Sequence, residues 1–217
     1  MESISKKTED IIKSKLLFVE GRDEVLFFSA LLKKIEFNDE IQVIAFSGKA
    51  NMKNFISMTS KTEGFIERVV SIAIVRDADK DYKSVATEVS DTLKCIFSIE
   101  NTKNGEMKEN ETIKAGFFIM PGNEKPGELE DLVLSSFQGN KVSEKIDNYL
   151  EELKSITRPD DKNSPFIYPK KTSKAKIQIY FSSMEESDTR MGISAERKYV
   201  NFDHDSFTDI IKFIKTM

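Results

Sequence analysis

LLFVEGRDE, residues 16–24, carries four apolar residues into a carboxylate, a glycine and three further charged residues. A short aliphatic and aromatic run of this kind suits a strand buried on both faces. Glu20 then stands at the end of a buried strand, where a charge must be paired, solvated or metal-bound. Directly afterwards the period of the sequence changes. In DEVLFFSALLKKI, residues 23–35, Phe28, Leu31, Leu32 and Ile35 recur at i, i+3, i+4 and i+7, which makes one helical face, and Asp23 is placed to cap its start.

The strand-then-helix pattern recurs. IQVIAF ends at Ser47 and Gly48, and ANMKNFISMTS then puts Met52, Phe55, Ile56 and Thr59 on one helical face. RVVSIAIV runs into the acidic RDADKD and a helix carrying Tyr82, Val85, Ala86, Val89 and Leu93. Three such units in succession predict an α/β fold with a mainly parallel, Rossmann-like sheet flanked by helices. CIFSI (95–99) and GFFIM (116–120) read as two further strands, joined by a hydrophilic insert that forms a hairpin or a loop around the Asn104-Gly105 turn signal. ELEDLVLSSF then reads as a helix burying Leu129, Leu132, Val133 and Phe137. From residue 142 three more helices are expected, with an irregular proline-bearing connection, TRPDDKNSPFIYPKKTSKAK, after the first. The expected division is residues 1–140 as the α/β domain and 141–217 as a helical extension packed on it.

Composition narrows the chemistry. With 33 Lys and Arg against 37 Asp and Glu, the formal charge is -4, so no global basic field advertises nucleic acid or membrane. One cysteine and one histidine exclude a disulfide framework and a His/Cys zinc site, so any metal must take oxygen ligands. The opening MESISKKTED is polar, and no apolar run approaches the roughly 20 residues that cross a bilayer. A soluble, cytoplasmic protein without a membrane partner is the expectation.

In an open parallel sheet, ligands bind in the crevice at the carboxyl ends of the strands. Glu20 leaves the first strand there, and Asp77, Asp79 and Asp81 leave the third. Alternate residues of an extended segment face the same way, so Asp77 and Asp79 are expected to point into one site. Several carboxylates at one crevice repel one another, and a divalent cation held by oxygens removes that penalty. Mg²⁺ suits the pattern best, with Mn²⁺ as a substitute, because it keeps waters that a phosphate can displace. Gly21 permits a tight turn and close approach of a substrate. The helix beginning near Asp23 aims its N–H groups at the crevice, a favourable place for phosphate. The plainer reading is that Asp79 or Asp81 caps the next helix and that Glu20 is merely solvated.

With those residues in view, the chain resembles the Toprim superfamily. There one strand ends in Glu-Gly, as VEG does here, and a later one ends in Asp-x-Asp-x-Asp, as DADKD does. It is most similar to an uncharacterised prokaryotic family of short stand-alone Toprim-like proteins, through GFFIMPGNEKPGELEDLV (116–133). Toprim proper covers about residues 15 to 135, a domain-sized span. The resemblance implies Glu20 as general acid or base of phosphoryl transfer, and Asp77 and Asp79 as Mg²⁺ ligands assisted by Asp81. By analogy with overcoming-lysogenization-defect nucleases, it also implies Glu130, beside Asp131, as holder of a second metal. Where these relatives carry an aspartate between the proline and the asparagine, this chain has Gly122.

The function so implied is a Mg²⁺-dependent phosphodiesterase, a nuclease acting on DNA or RNA, in phage defence or nucleic-acid processing. The alternative is a Toprim-fold binding or regulatory module that depends on a protein partner such as an ATPase. Lys49 in SGKAN is a candidate phosphate contact, as are Lys170 and Lys171 in YPKKTSKAK. Such lysine runs more often mark only a solvated helix start. A metal-dependent nucleotide-sugar transferase would have no need of Glu-Gly on the first strand, and a phospho-acceptor receiver domain would want an acidic pair there. His204, just before the last helix, is expected to have a surface or capping role rather than a catalytic one.

Overall fold

The computed structural model describes residues 10–156 and 166–217. The chain forms β1 (Lys15–Val19), α1 (Arg22–Lys34), β2 (Ile41–Ala45), α2 (Met52–Thr59), α3 (Glu63–Arg68), β3 (Ser71–Asp77) and α4 (Tyr82–Phe97). It continues through β4 (Glu106–Glu109), β5 (Lys114–Met120), α5 (Leu129–Ser135), α6 (Lys141–Ile156), α7 (Thr172–Ser182), α8 (Met191–Glu196) and α9 (Thr208–Lys215). Among the described residues the five strands form one sheet in the order β2-β1-β3-β5-β4, with β4 alone antiparallel. The α/β expectation, a mostly parallel sheet flanked by helices, holds.

Strand alternation assigns the core. Leu17, Val19, Ala73, Val75, Phe118 and Met120 face α1 and α5 to α9, whereas Leu16, Phe18, Ile72, Ile74, Phe117 and Ile119 face α2, α3 and α4. Both faces are covered, which is why the strands read as continuous apolar runs. Phe27 of α1 lies edge-on to both Phe28 and Phe202, each 5.3 Å away, so the C-terminal helices share one core with β1 and α1. α2 and α3 carry the chain from β2 back past β1 to β3. The winding therefore reverses between β1 and β3, the place where the carboxyl ends of an open sheet leave a crevice.

Several local expectations change. CIFSI is not a strand: Cys95, Ile96 and Phe97 form the last turn of α4, which closes on Ser98 in the left-handed region (φ 58°). Ile96 and Phe97 extend the apolar face begun by Val89 and Leu93, and that helical period outweighs the strand-like composition of so short a run. The hydrophilic insert supplies β4, laid along β5 with Asn104 Oδ1 accepting the Ile119 N–H at 2.7 Å. α3 and α8 were not expected. The N-terminal nine residues and the first part of the proline-bearing connection, 157–165, lie outside the described residues.

Asp23 does not cap α1. Gly21 holds that N-cap position, and both Asp23 carboxylate oxygens accept from α8 instead, from Met191 N–H at 3.0 Å and Gly192 N–H at 2.9 Å. A Cβ at Gly192 would stand 2.5 Å from the Asp23 carbonyl oxygen and 2.6 Å from Leu26 Cβ, so only glycine lets α8 pack so closely on α1. His204 caps as expected, its Nδ1 accepting the Ser206 N–H at 3.1 Å.

Candidate active site

The site is built where β1, β2, β3 and β5 end side by side. Glu20 follows β1, Lys49 follows β2, Asp77 is the last residue of β3, and β5 leads through a loop to the first turn of α5, which carries Glu130. Val75 and Asp77 project to one face of the sheet and Ile74 and Arg76 to the other, so the functional groups fall into two sets.

On the α1 and α5 face lie Asp77, Glu24 and Glu130. Asp77 Oδ1 accepts the N–H of Leu129 at 2.9 Å, which holds α5 against the end of β3. Burial, then the charges of Glu130, Glu24 and Glu20, push the Asp77 carboxyl group up to about 8. Burial raises Glu130 and Glu24 as well, and Glu24 is raised further by Glu20, Asp23 and Glu130. Each carboxylate makes its neighbours harder to ionise, as expected of acids gathered without a counter-ion. Gly21 contributes space rather than a turn: its backbone is extended (φ -145°, ψ -177°), and a Cβ there would lie 3.0 Å from Glu24 Oε2.

Toward the other side lie Asp79, Lys49 and Arg76, with Glu20 between the two sets, its charge felt by Asp77 and Glu24 as well. Glu20 is half-buried and its Oε2 is fully enclosed with no hydrogen-bond partner among the described residues. Desolvation raises its pKa, while the charges of Lys49 and Arg76 oppose the rise. Arg76, only 2% exposed, pairs with Glu88 at 3.0 Å, so a buried cation sits beneath Glu20. Asp79 is ion-paired with Lys49. The chain leaves the strand at Asp77, and Asp79 takes a left-handed conformation (φ 51°) with reciprocal 2.9 Å backbone bonds to Gly127. Strand alternation therefore stops before it could set Asp77 and Asp79 side by side. The repulsion on Asp77 comes from Glu130, Glu24 and Glu20.

Asp81 stands apart as the N-cap of α4, its Oδ1 accepting the Ser84 N–H at 3.1 Å. Lys171 is ion-paired with Glu128 at the start of α5, and Lys170 is exposed in the turn before α7. Asp131 accepts from Glu128 N–H at 2.8 Å and from the Ser173 hydroxyl at 2.5 Å, which ties α5 to α7. Gly122 has φ +103°, and a Cβ would lie 2.8 Å from the Phe118 ring, so an aspartate has no room at that position.

Glu24 was missed by sequence reasoning. Its signal was the acidic residue four positions after Glu20, in the first turn of the helix that opens on the crevice. Arg76 gave a weaker signal, an arginine inside an otherwise apolar strand run.

Over residues 14–217 the sequence matches the family described as Protein of unknown function (DUF3226). The chain belongs to that family. No curated protein sequence matches this DUF3226 member. Its fold is similar to the C-terminal region of the Xanthomonas campestris pv. campestris OLD protein, at 16% identity and a TM-score of 0.48, covering 94% of this chain and 96% of that one. It is similar also to the C-terminal region of the Burkholderia pseudomallei OLD protein, at 15% identity and a TM-score of 0.47, covering 94% and 98%.

Proposed function

We propose that this DUF3226 protein is a Toprim-type, divalent-metal-dependent phosphodiesterase acting on nucleic acid. The observation that carries the reading is the convergence of Asp77, Glu130, Glu24 and Glu20 on one crevice, each raised by burial and by at least one neighbouring carboxylate in the set or beside it. Four such acids have little structural use together.

The donors suit Mg²⁺ or Mn²⁺ in kind, being oxygens only, and the enclosed, unpartnered Glu20 Oε2 marks a place for a proton or a ligand. Among the described residues no three His, Cys, Asp or Glu side chains form a ready-made set that could hold an ion. Mutual repulsion keeps uncompensated carboxylates apart. Asp77, Glu130 and Glu24 would hold the metal, with Asp79 joining if Lys49 releases it. Bound there, the ion supplies charge neutralisation at a phosphodiester oxygen and a more acidic water. Glu20, raised by desolvation and left with an unpartnered oxygen, moves the proton at its Oε2. Lys49, at the rim, orients a phosphate oxygen, and the charges of Lys49 and Arg76 oppose the rise at Glu20.

The test is cleavage of single-stranded and duplex DNA and RNA with Mg²⁺ or Mn²⁺, with chelator, and with Asp77→Asn. Cleavage lost with chelator and in the variant supports the reading. The lack of a preassembled metal set also favours a second reading, a partner-dependent module whose site is completed by a protein such as an ATPase. Metal binding without cleavage by any preparation of the chain alone selects that second reading.

A further inference from the structure

Beside the carboxylates, a cleft of about 350 Å³ opens between α1, α7 and α8. Its lining includes Glu130, the apolar Leu26 and Ile177, and the exposed Arg22, Lys174 and Gln178. Its walls are fixed independently of any ligand. The Asp23 bonds to Met191 and Gly192 lock α8 on α1, and the Ser173–Asp131 bond locks α7 on α5. The cleft is therefore preformed, which lowers the ordering cost of binding.

Its charges are unevenly satisfied. Arg190, also at the cleft, is held by both oxygens of Asp188, at 3.0 and 2.6 Å. Among the described residues neither Arg22 nor Lys174 forms an ion pair. Two cations without a direct ion pair, of which Lys174 also acts on the Glu130 carboxylate, thus flank a small apolar wall that also presents a side-chain amide. The size falls at the low end of small-molecule sites, enough for one nucleotide and too small for a duplex. Arg and Lys are the usual phosphate ligands, and the amide of Gln178 can donate to and accept from a base edge.

We propose that this cleft binds one nucleoside monophosphate unit of the substrate strand. The phosphate would rest on Arg22 and Lys174, and the sugar and base against Leu26, Ile177 and Gln178, next to the phosphodiester at the carboxylates. The assignment rests on the phosphodiesterase reading for its strand context, but the cleft itself needs no metal.

The test is binding of thymidine and adenosine 5′-monophosphates by the full chain in chelator, read by calorimetry and by displacement with a short single strand. The wild type is expected to bind, and a single strand should displace the nucleotide. The Arg22→Glu/Lys174→Glu pair should weaken binding roughly tenfold or more, since it removes two charge-assisted contacts. Gln178→Trp, which fills the mouth without changing charge, should also weaken it, and Asp77→Asn should leave it intact. Absence of nucleotide binding by the wild type overturns the proposal. So does binding unchanged in both cleft variants, or failure of a single strand to compete. Binding through the cleft in a protein that cleaves no nucleic acid would remove the phosphodiesterase reading and leave the cleft standing. Cleavage with a strand KM unchanged by the cleft variants would remove the cleft alone.

Discussion

Replacing Asp77 by asparagine should make the metal-free protein more stable while removing its metal affinity. The amide oxygen of asparagine can still accept the Leu129 N–H that Asp77 Oδ1 accepts at 2.9 Å, so the β3–α5 junction is kept. What changes is the charge. The Asp77 carboxyl group stands at about 8 in the folded chain against an ordinary 3.8. With the folded value above the unfolded one, the folded state holds an extra proton between them. Its stability is full below pH 3.8 and declines as pH rises toward 8. At about 1.4 kcal/mol per pH unit, that interval sets a ceiling of about 6 kcal/mol. Asp77 keeps some solvent access, so a gain of about 2 kcal/mol is expected for the variant at about pH 8. Urea unfolding in chelator, at about pH 5 and about pH 8, reads the effect directly. The gain should shrink at the lower pH, and Mg²⁺ should stabilise the wild type but not the variant. A variant less stable than the wild type at pH 8, or one whose gain is the same at both pH values, refutes the argument that Asp77 is strained by its acidic neighbours.

Three further outcomes follow from the same geometry. Asp81→Ala should cost about 1 kcal/mol in thermal or urea unfolding, as loss of an N-cap does, with metal affinity unchanged in a Mn²⁺ titration. Glu24→Gln should weaken Mn²⁺ binding roughly tenfold or more while leaving the melting temperature at or above that of the wild type, because it removes a like charge from the set. Gly192→Ala should destabilise by roughly 1–3 kcal/mol in urea, because its Cβ meets the Asp23 backbone and Leu26 and pushes α8 off α1.

The sheet was legible because each parallel strand is a continuous apolar run and each helix that follows changes the period. The mainly parallel arrangement followed from the alternation of the two, whereas the strand order did not. The short segments were harder. CIFSI carries strand-like residues but continues the α4 face, and α8 has six residues, too few to show a period. At the site, strand ends located Glu20 and Asp77, whose backbones are still set by the sheet. Asp79 and Asp81 lie past the last strand residue, where a left-handed turn at Asp79 and a helix cap at Asp81 direct the side chains. No periodicity reports such local geometry. Glu24 escaped notice for a related reason: its place depends on α1 leaning over the crevice with a glycine beneath its carboxylate, a tertiary fact. Asp23 shows the same limit, since an apparent N-cap serves a helix 168 positions away.

The most direct test of the account is calorimetric titration of Mn²⁺ into the wild-type chain at about pH 8, in two buffers of different ionisation enthalpy. Saturable binding with net proton release is expected, because Asp77 must lose its proton to the buffer before it can hold the ion, and both should be lost in Asp77→Asn and Glu130→Gln. Absence of binding, or binding without proton release that survives both substitutions, would contradict a metal centre at the carboxylates.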